Sequence, residues 1–168
     1  SAMKHLILLR HAKSSWKSAR LEDVDRPLAE RGERDAPRIG ERLKSRGANP
    51  TLLLTSPARR ALRTAELIGR ALGLAFEQTR TVPALYLATP GEIREVVAEQ
   101  DDTHDCLLLV GHNPGLTDLV NELLPGLALD NLPTAGVVAL DLAGATWSAA
   151  ARLRGRLAYF DCPKDAAP

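Results

Sequence analysis

The chain has 168 residues, 45% of them hydrophobic, and its 22 basic and 21 acidic side chains leave a formal net charge of +1. This length suits one domain with a sizeable core, and the near-neutral charge disfavours electrostatic capture of nucleic acid or of an anionic membrane surface. Two cysteines are too few for a disulfide framework or a cysteine metal cluster. No window approaches the roughly 18 apolar residues of a membrane span. We therefore expect a cytoplasmic protein that binds neither nucleic acid nor membrane.

The expected domain covers residues 3–163, because the sequence contains no repeat, low-complexity segment or linker. Ser1 and Ala2 precede Met3 and have the form of a cloning scar. Residues 164–168 are expected to be a frayed tail.

The first predicted element is a strand over residues 5–9, where the near-continuous apolar run is typical of a buried parallel strand. The charged stretch 17–28 predicts a surface loop. Apolar residues at helical spacing then predict a helix over 29–46, which Pro37 should loosen or kink.

A second strand is predicted over residues 51–55, followed by a helix in which Ser56 is the N-cap and Pro57 the first helical residue. That helix should end at Leu72. Residues 76–79 are interpreted as a short strand.

The second half continues the alternation of helices and strands. Thr89 and Glu92 have the spacing of a capping box, which predicts a helix that ends near Gln100. The remaining predictions are strands over 106–110, 137–142 and 153–160 and a helix over 116–124.

This alternation predicts an α/β fold, a three-layer sandwich whose mostly parallel central sheet is flanked by helices. Ligands of such sheets bind beyond the carboxyl ends of the strands. Three segments place polar residues there: Arg10-His11, Ser56-Pro57 with Arg59 and Arg60, and Gly111-His112-Asn113.

Two arginines and two histidines at one sheet edge suit a dianionic ligand. Arg10 and Arg60 offer forked, permanently charged donors to phosphate oxygens. A neutral histidine can attack phosphorus, and a second, protonated histidine can donate to a phosphoryl oxygen. Each motif alone also fits an ordinary exposed loop or turn, but their occurrence at the ends of several strands favours a site.

Four segments, taken in order, resemble those of the histidine phosphatase superfamily. The first is an Arg-His motif with Ala12 in the usual glycine position, and its form resembles the branch of the phosphohistidine phosphatase SixA. The resemblance spans about residues 5–142 and implies a phosphoglycerate mutase-like fold. The segments are Leu9-Arg10-His11-Ala12-Lys13-Ser14, Asp25-Arg26-Pro27-Leu28, Ser56-Pro57-Ala58-Arg59-Arg60-Ala61-Leu62-Arg63-Thr64-Ala65 and Val110-Gly111-His112-Asn113-Pro114-Gly115.

This resemblance implies a hydrolase in which His11 is the nucleophile that becomes phosphorylated. Arg10, Arg60 and His112 would complete the phosphate pocket. It implies no metal and no other cofactor. The residues expected at the rim, where they would touch phosphate or substrate, are Lys13, Ser14 and Asn113, and Trp16 would cover the rim or anchor its loop.

The sequence also departs from its relatives where they carry acids. Many have an acidic residue at the position of Lys13, and phosphomonoesterases use a carboxylate that residues 83–86 do not supply. Asn113 stands where another branch has an aspartate. A phosphoramidate nitrogen is protonated more readily than an alkoxide, so an acid-poor site suits phosphohistidine. The remaining candidate proton donors are Glu92, Asp23 and Asp25.

Several functions remain open at this point. The substrate is either a protein that carries phosphohistidine or a small phosphorylated metabolite. A binding module without turnover is disfavoured, because all four core positions are filled. A mutase would need a general acid and an enclosed pocket, and neither is evident.

Overall fold

The computed structural model describes residues 2–163, which contain one six-stranded sheet. Its strands are β1 (Met3–Arg10), β2 (Leu52–Thr55), β3 (Thr79–Thr81), β4 (Cys106–Gly111), β5 (Val137–Ala143) and β6 (Arg156–Asp161). They lie in the order β3-β2-β4-β1-β5-β6. The first four strands run parallel, whereas β5 is antiparallel to both of its neighbours.

Helices cover both faces of this sheet. They are α1 (Glu30–Ser45), α2 (Arg59–Leu72), α3 (Pro90–Ala98), α4 (Gly115–Leu123) and the single turn α5 (Trp147–Ala150). Alternate residues of β1 serve different layers: Leu6 and Leu8 pack towards α3, α4 and α5, while Ile7 and Leu9 pack towards α1 and α2. The predicted three-layer α/β sandwich is confirmed.

Two local predictions about helices can be compared with the structure directly. The capping box of α3 is confirmed: Thr89 Oγ1 accepts from the Glu92 amide at 3.2 Å, and the Thr89 amide donates to Glu92 Oε1 at 2.9 Å. Pro37, which was expected to loosen α1, lies inside a helix that continues without interruption from Glu30 to Ser45.

The predicted start of α2 is wrong by two residues. The helix begins at Arg59, with Ala58 rather than Ser56 as the residue before it. Ser56 Oγ does accept from the Ala58 amide, at 3.2 Å, but the chain between them makes a bend. Ser56 therefore directly follows the end of β2 rather than capping the helix, and its hydroxyl also contacts His112.

The predicted strand over residues 76–79 is also wrong. Phe76–Gln78 forms a 3₁₀ turn, and the side chain of Gln78 accepts from the Ala75 amide at 2.8 Å. Phe76 is almost fully exposed, so no packing favours an extended conformation there. Pairing with β2 begins only at Thr79.

Smaller differences occur at the ends of other elements. The helix predicted to reach Gln100 ends at Ala98, where the Gln100 side chain donates to the Val96 carbonyl at 2.7 Å. The strand predicted over 153–160 is β6, and the single turn α5 was not predicted. No helix within residues 2–163 has the length and apolar character to cross a membrane. The interpretations of Ser1 and of residues 164–168 lie outside the described residues.

Candidate active site

The site lies at the carboxyl end of the sheet, where neighbouring parallel strands end side by side. Arg10 at the end of β1 pairs with Gly111 at the end of β4, so His11 and His112 follow at adjacent positions. Their ring centroids are 5.2 Å apart. Arg60 joins them from the first turn of α2, which follows β2 on the other side of β4.

The tautomer of His11 follows from its hydrogen bond. Its Nδ1 lies 2.8 Å from the Ala12 carbonyl oxygen, which can only accept, so Nδ1 carries the hydrogen. Burial lowers the pKa of His11 to about 3, and the charges of Arg60 and Arg10 act in the same direction. The ring is therefore neutral near pH 7, and Nε2 holds the lone pair that a nucleophile needs.

The backbone around His11 is held from three directions. The His11 amide donates to the Gly111 carbonyl at 3.1 Å, and the Ala135 amide donates to the carbonyls of Arg10 and His11. The Ala12 amide donates to Thr64 Oγ1 at 3.0 Å, and that hydroxyl donates to the Arg60 carbonyl at 2.7 Å. Thr64 thus ties the His11 segment to α2, which carries Arg60.

Arg10 and Arg60 are two buried or half-buried cations in the same site. Arg10 Nη1 donates to the Leu132 carbonyl at 3.0 Å, while its buried Nε has no hydrogen-bond partner among the described residues. Burial and the charge of Arg60 lower the pKa of Arg10. An unpaired buried donor beside like charges indicates a place for an anion.

His112 is held between Ser56 and Arg60. Its Nδ1 lies 3.5 Å from Arg60 Nη2, which can only donate, and its Nε2 lies 2.7 Å from Ser56 Oγ. A neutral ring that accepts at Nδ1 donates its Nε2 hydrogen to Ser56. Burial, followed by the charge of Arg60, lowers the pKa of His112 to about 4. A bound dianion would favour the protonated ring and raise this pKa.

All seven sequence-predicted site residues line one cavity of about 210 Å³. Ligand pockets for drug-sized molecules usually measure about 300–1,000 Å³, so this cavity suits a phosphoryl group with little more of the substrate. Three larger cavities, of about 510, 480 and 370 Å³, are lined by none of these residues. The lining consists of Arg10, His11, Lys13, Ser14, Arg60, His112 and Asn113 together with Trp16, Arg26, Leu87 and Thr134.

Asn113 and Ser14 already have partners in this arrangement. Asn113 Nδ2 donates to Asn131 Oδ1 at 3.0 Å and to the Leu132 carbonyl at 2.9 Å, and its Oδ1 accepts from the amide and hydroxyl of Thr117. Ser14 Oγ accepts from Arg26 Nη2. Contact of Asn113 and Ser14 with phosphate therefore stays a prediction. Lys13 is exposed at the rim of the cavity.

Arg26 and Ser56 belong to the site, although neither was predicted as a site residue. Arg26 is buried and lines the cavity. Its guanidinium stacks on the exposed Trp16 ring, with Cζ 3.4 Å from the ring centroid. Its place in a segment similar to that of relatives was the available signal. Ser56 was placed at the carboxyl edge of the sheet, but the one role predicted for its side chain was that of a helix cap.

Carboxylates are absent from the described residues that line the cavity. Glu92 is occupied in the capping box of α3, where the Thr89 amide lowers the pKa of its carboxyl. Hydrogen bonds from Tyr86 and Arg60 lower the pKa of Asp23, which favours the ionised form. Asp25 makes no side-chain hydrogen bond or ion pair within residues 2–163.

Comparison with protein families agrees with this geometry. The model of the histidine phosphatase superfamily (branch 1) matches residues 6–85. An uncharacterised chloroplastic protein of Arabidopsis thaliana is 32% identical over 163 residues, which cover 92% of this chain and 74% of that protein.

Two further similarities concern named enzymes. The 2,3-bisphosphoglycerate-dependent phosphoglycerate mutase of Corynebacterium kroppenstedtii is 48% identical over 64 residues, 37% of this chain and 26% of the mutase. The crystal structure of an Agrobacterium tumefaciens protein, assigned as the phosphohistidine phosphatase SixA, superposes with a TM-score of 0.82 at 28% identity. That match covers 97% of this chain and all of the other.

Proposed function

Because the chain belongs to the histidine phosphatase superfamily and is a hydrolase that acts on phosphoryl groups, we propose that it removes the phosphoryl group from phosphohistidine on a protein. In this proposal His11 is the nucleophile, and Arg10, Arg60 and His112 bind the phosphoryl oxygens. The reaction proceeds without a metal ion.

The first step is the transfer of the phosphoryl group to His11. The Nε2 lone pair attacks phosphorus, the bond from phosphorus to the substrate nitrogen breaks, and its electron pair stays on the departing imidazole. Protonation of the substrate ring by solvent makes that imidazole a good leaving group. His11 is suited to the attack because its ring is neutral and its Nδ1 is fixed on the Ala12 carbonyl.

The second step is hydrolysis of the phosphorylated enzyme. Water attacks phosphorus, the bond to Nε2 breaks, and its electron pair returns to Nε2. The protons of the water leave with the phosphate product. In both steps the Arg10 and Arg60 guanidinium groups stabilise charge on the phosphoryl oxygens, and His112 takes a proton as the dianion binds.

The observation that carries this proposal is the lack of a carboxylate among the described residues that line the cavity. An alkoxide leaving group needs a proton from the enzyme, whereas a protonated phosphoramidate nitrogen does not. The small cavity adds support, because it leaves the body of the substrate outside, as a protein substrate requires.

Two peptides of identical sequence test the proposal, one carrying phosphohistidine and the other phosphoserine. Phosphate release is measured with a metal chelator present, and release by His11→Ala is subtracted. The proposal predicts at least a 100-fold higher kcat/KM for phosphohistidine. Equal or faster hydrolysis of phosphoserine, or loss of activity with the chelator, would contradict it.

A further inference from the structure

We propose that Asp23 is a positioning residue that fixes the guanidinium of Arg60 in the phosphate site, and that Tyr86 holds Asp23 in this position. The proposal rests on the assignment of Arg60 to the phosphate site. It gives Asp23 a role other than that of a proton donor.

Asp23 contacts Arg60 through both its backbone and its side chain. Arg60 Nη1 donates to the Asp23 carbonyl at 2.7 Å, and Arg60 Nη2 donates to Asp23 Oδ2 at 3.0 Å. These two bonds use one hydrogen on each terminal nitrogen and fix the plane of the guanidinium. The second Nη2 hydrogen is directed at His112 Nδ1, which leaves the Nε hydrogen and the second Nη1 hydrogen for phosphoryl oxygens.

The carboxylate of Asp23 is itself held by two further residues. Arg26 Nη1 donates to Oδ1 at 3.2 Å, and the Tyr86 hydroxyl donates to Oδ2. The ring of Tyr86 also packs edge-on against His112, with centroids 5.6 Å apart. Tyr86 therefore contacts both Asp23 and His112 and connects the two residues.

The positions of Asp23 and Tyr86 indicate an indirect role. Neither residue lines the cavity, whereas their partners Arg60, Arg26 and His112 do. Asp23 comes from a short 3₁₀ turn, Asp23–Asp25, in the connection between β1 and α1. The contacts with Asp23 supply two of the hydrogen bonds that orient the long side chain of Arg60, and misplacement of a charged group by about 1 Å can cost about 100-fold in rate.

The experiment compares phenyl phosphate with p-nitrophenyl phosphate as substrates of Asp23→Asn. The two differ mainly in the leaving group, because nitrophenolate departs without a proton and phenolate departs less readily. A positioning role predicts that kcat falls by a similar factor, about 10-fold, for both substrates. A proton donor would lose far more activity with phenyl phosphate, and that result would overturn the proposal.

Three further variants complete the test. Glu22→Gln, which removes an equal charge from the adjacent exposed position, should retain wild-type kcat. Tyr86→Phe should lower kcat about 3-fold, and the double variant with Asp23→Asn should be no slower than Asp23→Asn alone, because Tyr86 acts through Asp23. Additive losses, or an Asp23→Asn variant as active as Glu22→Gln, would contradict the proposal.

Arg60→Ala separates this proposal from the function on which it rests. If Arg60→Ala retains wild-type kcat, the assignment of Arg60 to the phosphate site is wrong. If Arg60→Ala loses activity while Asp23→Asn does not, only the role of Asp23 is wrong. Unchanged thermal unfolding of each variant shows that a loss of kcat does not reflect unfolding.

Discussion

The two ends of β1 carry the same pair of residue types, a long basic side chain followed by a histidine. Near the start of the strand, Lys4 Nζ donates to the carbonyls of Asp102 and His104 and pairs with Asp105 at 3.1 Å. His5 Nδ1 lies 2.6 Å from Asp141 Oδ1. Carboxylates thus satisfy both side chains of this first pair.

At the other end of β1 the arrangement is different. Arg10 donates to a backbone carbonyl and leaves its buried Nε without a partner among the described residues, and the neutral His11 ring donates from Nδ1 to the Ala12 carbonyl. The positive charge of Arg60 lowers the pKa of both side chains, in addition to the effect of burial. The comparison teaches that the placement of carboxylates distinguishes a structural pair from an anion site.

The largest expected difference between the two ends concerns their histidines. His11→Ala removes the nucleophile and should lower kcat for p-nitrophenyl phosphate by at least about 10⁴-fold. His5→Ala should retain kcat within about 2-fold. Steady-state phosphate release measures both variants, and a loss of activity in His5→Ala equal to that in His11→Ala would contradict the distinction.

Substitution of Arg10 should affect catalysis, whereas substitution of Lys4 should affect stability. Arg10→Ala removes a donor to the phosphoryl group and should lower kcat/KM about 10²–10³-fold. Lys4→Met should leave kcat/KM nearly unchanged but lower the free energy of unfolding by about 1–3 kcal/mol, because the buried Lys4 side chain loses its hydrogen bonds to the carbonyls of Asp102 and His104. Urea titration with activity assays measures both effects, and lost activity in a stably folded Lys4→Met would contradict the account.

Part of this arrangement could be predicted from the sequence. The apolar run of β1 and the rule that parallel strands end at one edge place Arg10, His11, Arg60 and His112 together, and the structure does bring them into one cavity. Their catalytic roles remain predictions. The three-layer sandwich with a mostly parallel sheet and the capping box of α3 were predicted as well, because both follow from local sequence patterns.

The remainder depends on contacts between segments far apart in the sequence. Asp23 reaches Arg60 across 37 positions and Tyr86 across 63 positions, and no local periodicity encodes such contacts. Ser56 Oγ contacts both the Ala58 amide and His112 Nε2, and the local Ser-Pro pattern predicted a helix cap rather than the contact with His112. The hydrogen bond of His11 to its neighbour's carbonyl depends on backbone geometry that residue types alone do not specify.

Two hydroxyl–histidine pairs sharpen the comparison further. Ser56 Oγ lies 2.7 Å from His112 Nε2 in the site, and Thr51 Oγ1 lies 2.7 Å from His104 Nδ1 at the opposite edge of the sheet. Ser56→Ala should lower kcat about 10-fold, because His112 loses the partner that orients it. Thr51→Ala should leave kcat unchanged in the same assay. Equal kcat in the two variants would show that Ser56 does not position His112.

A further expected effect is on stability in mild acid. The folded-state pKa values of His11 and His112, about 3 and about 4, lie below the ordinary value of 6.5, so the unfolded chain binds more protons between these limits. Their contribution to stability is therefore full above pH 6.5 and is lost as the pH falls towards 3. Each histidine contributes a slope of up to about 1.4 kcal/mol per pH unit.

Urea unfolding of His11→Gln and His112→Gln between pH 7 and pH 4 measures these slopes. Each variant should lose stability less steeply than the wild type as the pH is lowered. Identical slopes in the wild type and both variants would mean that the two rings are not held neutral by burial.

The most direct test of the central claim is to identify the atom that carries the phosphoryl group during turnover. Protein labelled with ¹⁵N at histidine is mixed with excess substrate, quenched in alkali and analysed by mass spectrometry and ³¹P–¹⁵N NMR. The account predicts one phosphoryl group on Nε2 of His11, because Nδ1 donates to the Ala12 carbonyl. Turnover without phosphorylated His11, or a phosphoryl group on Nδ1, would contradict it.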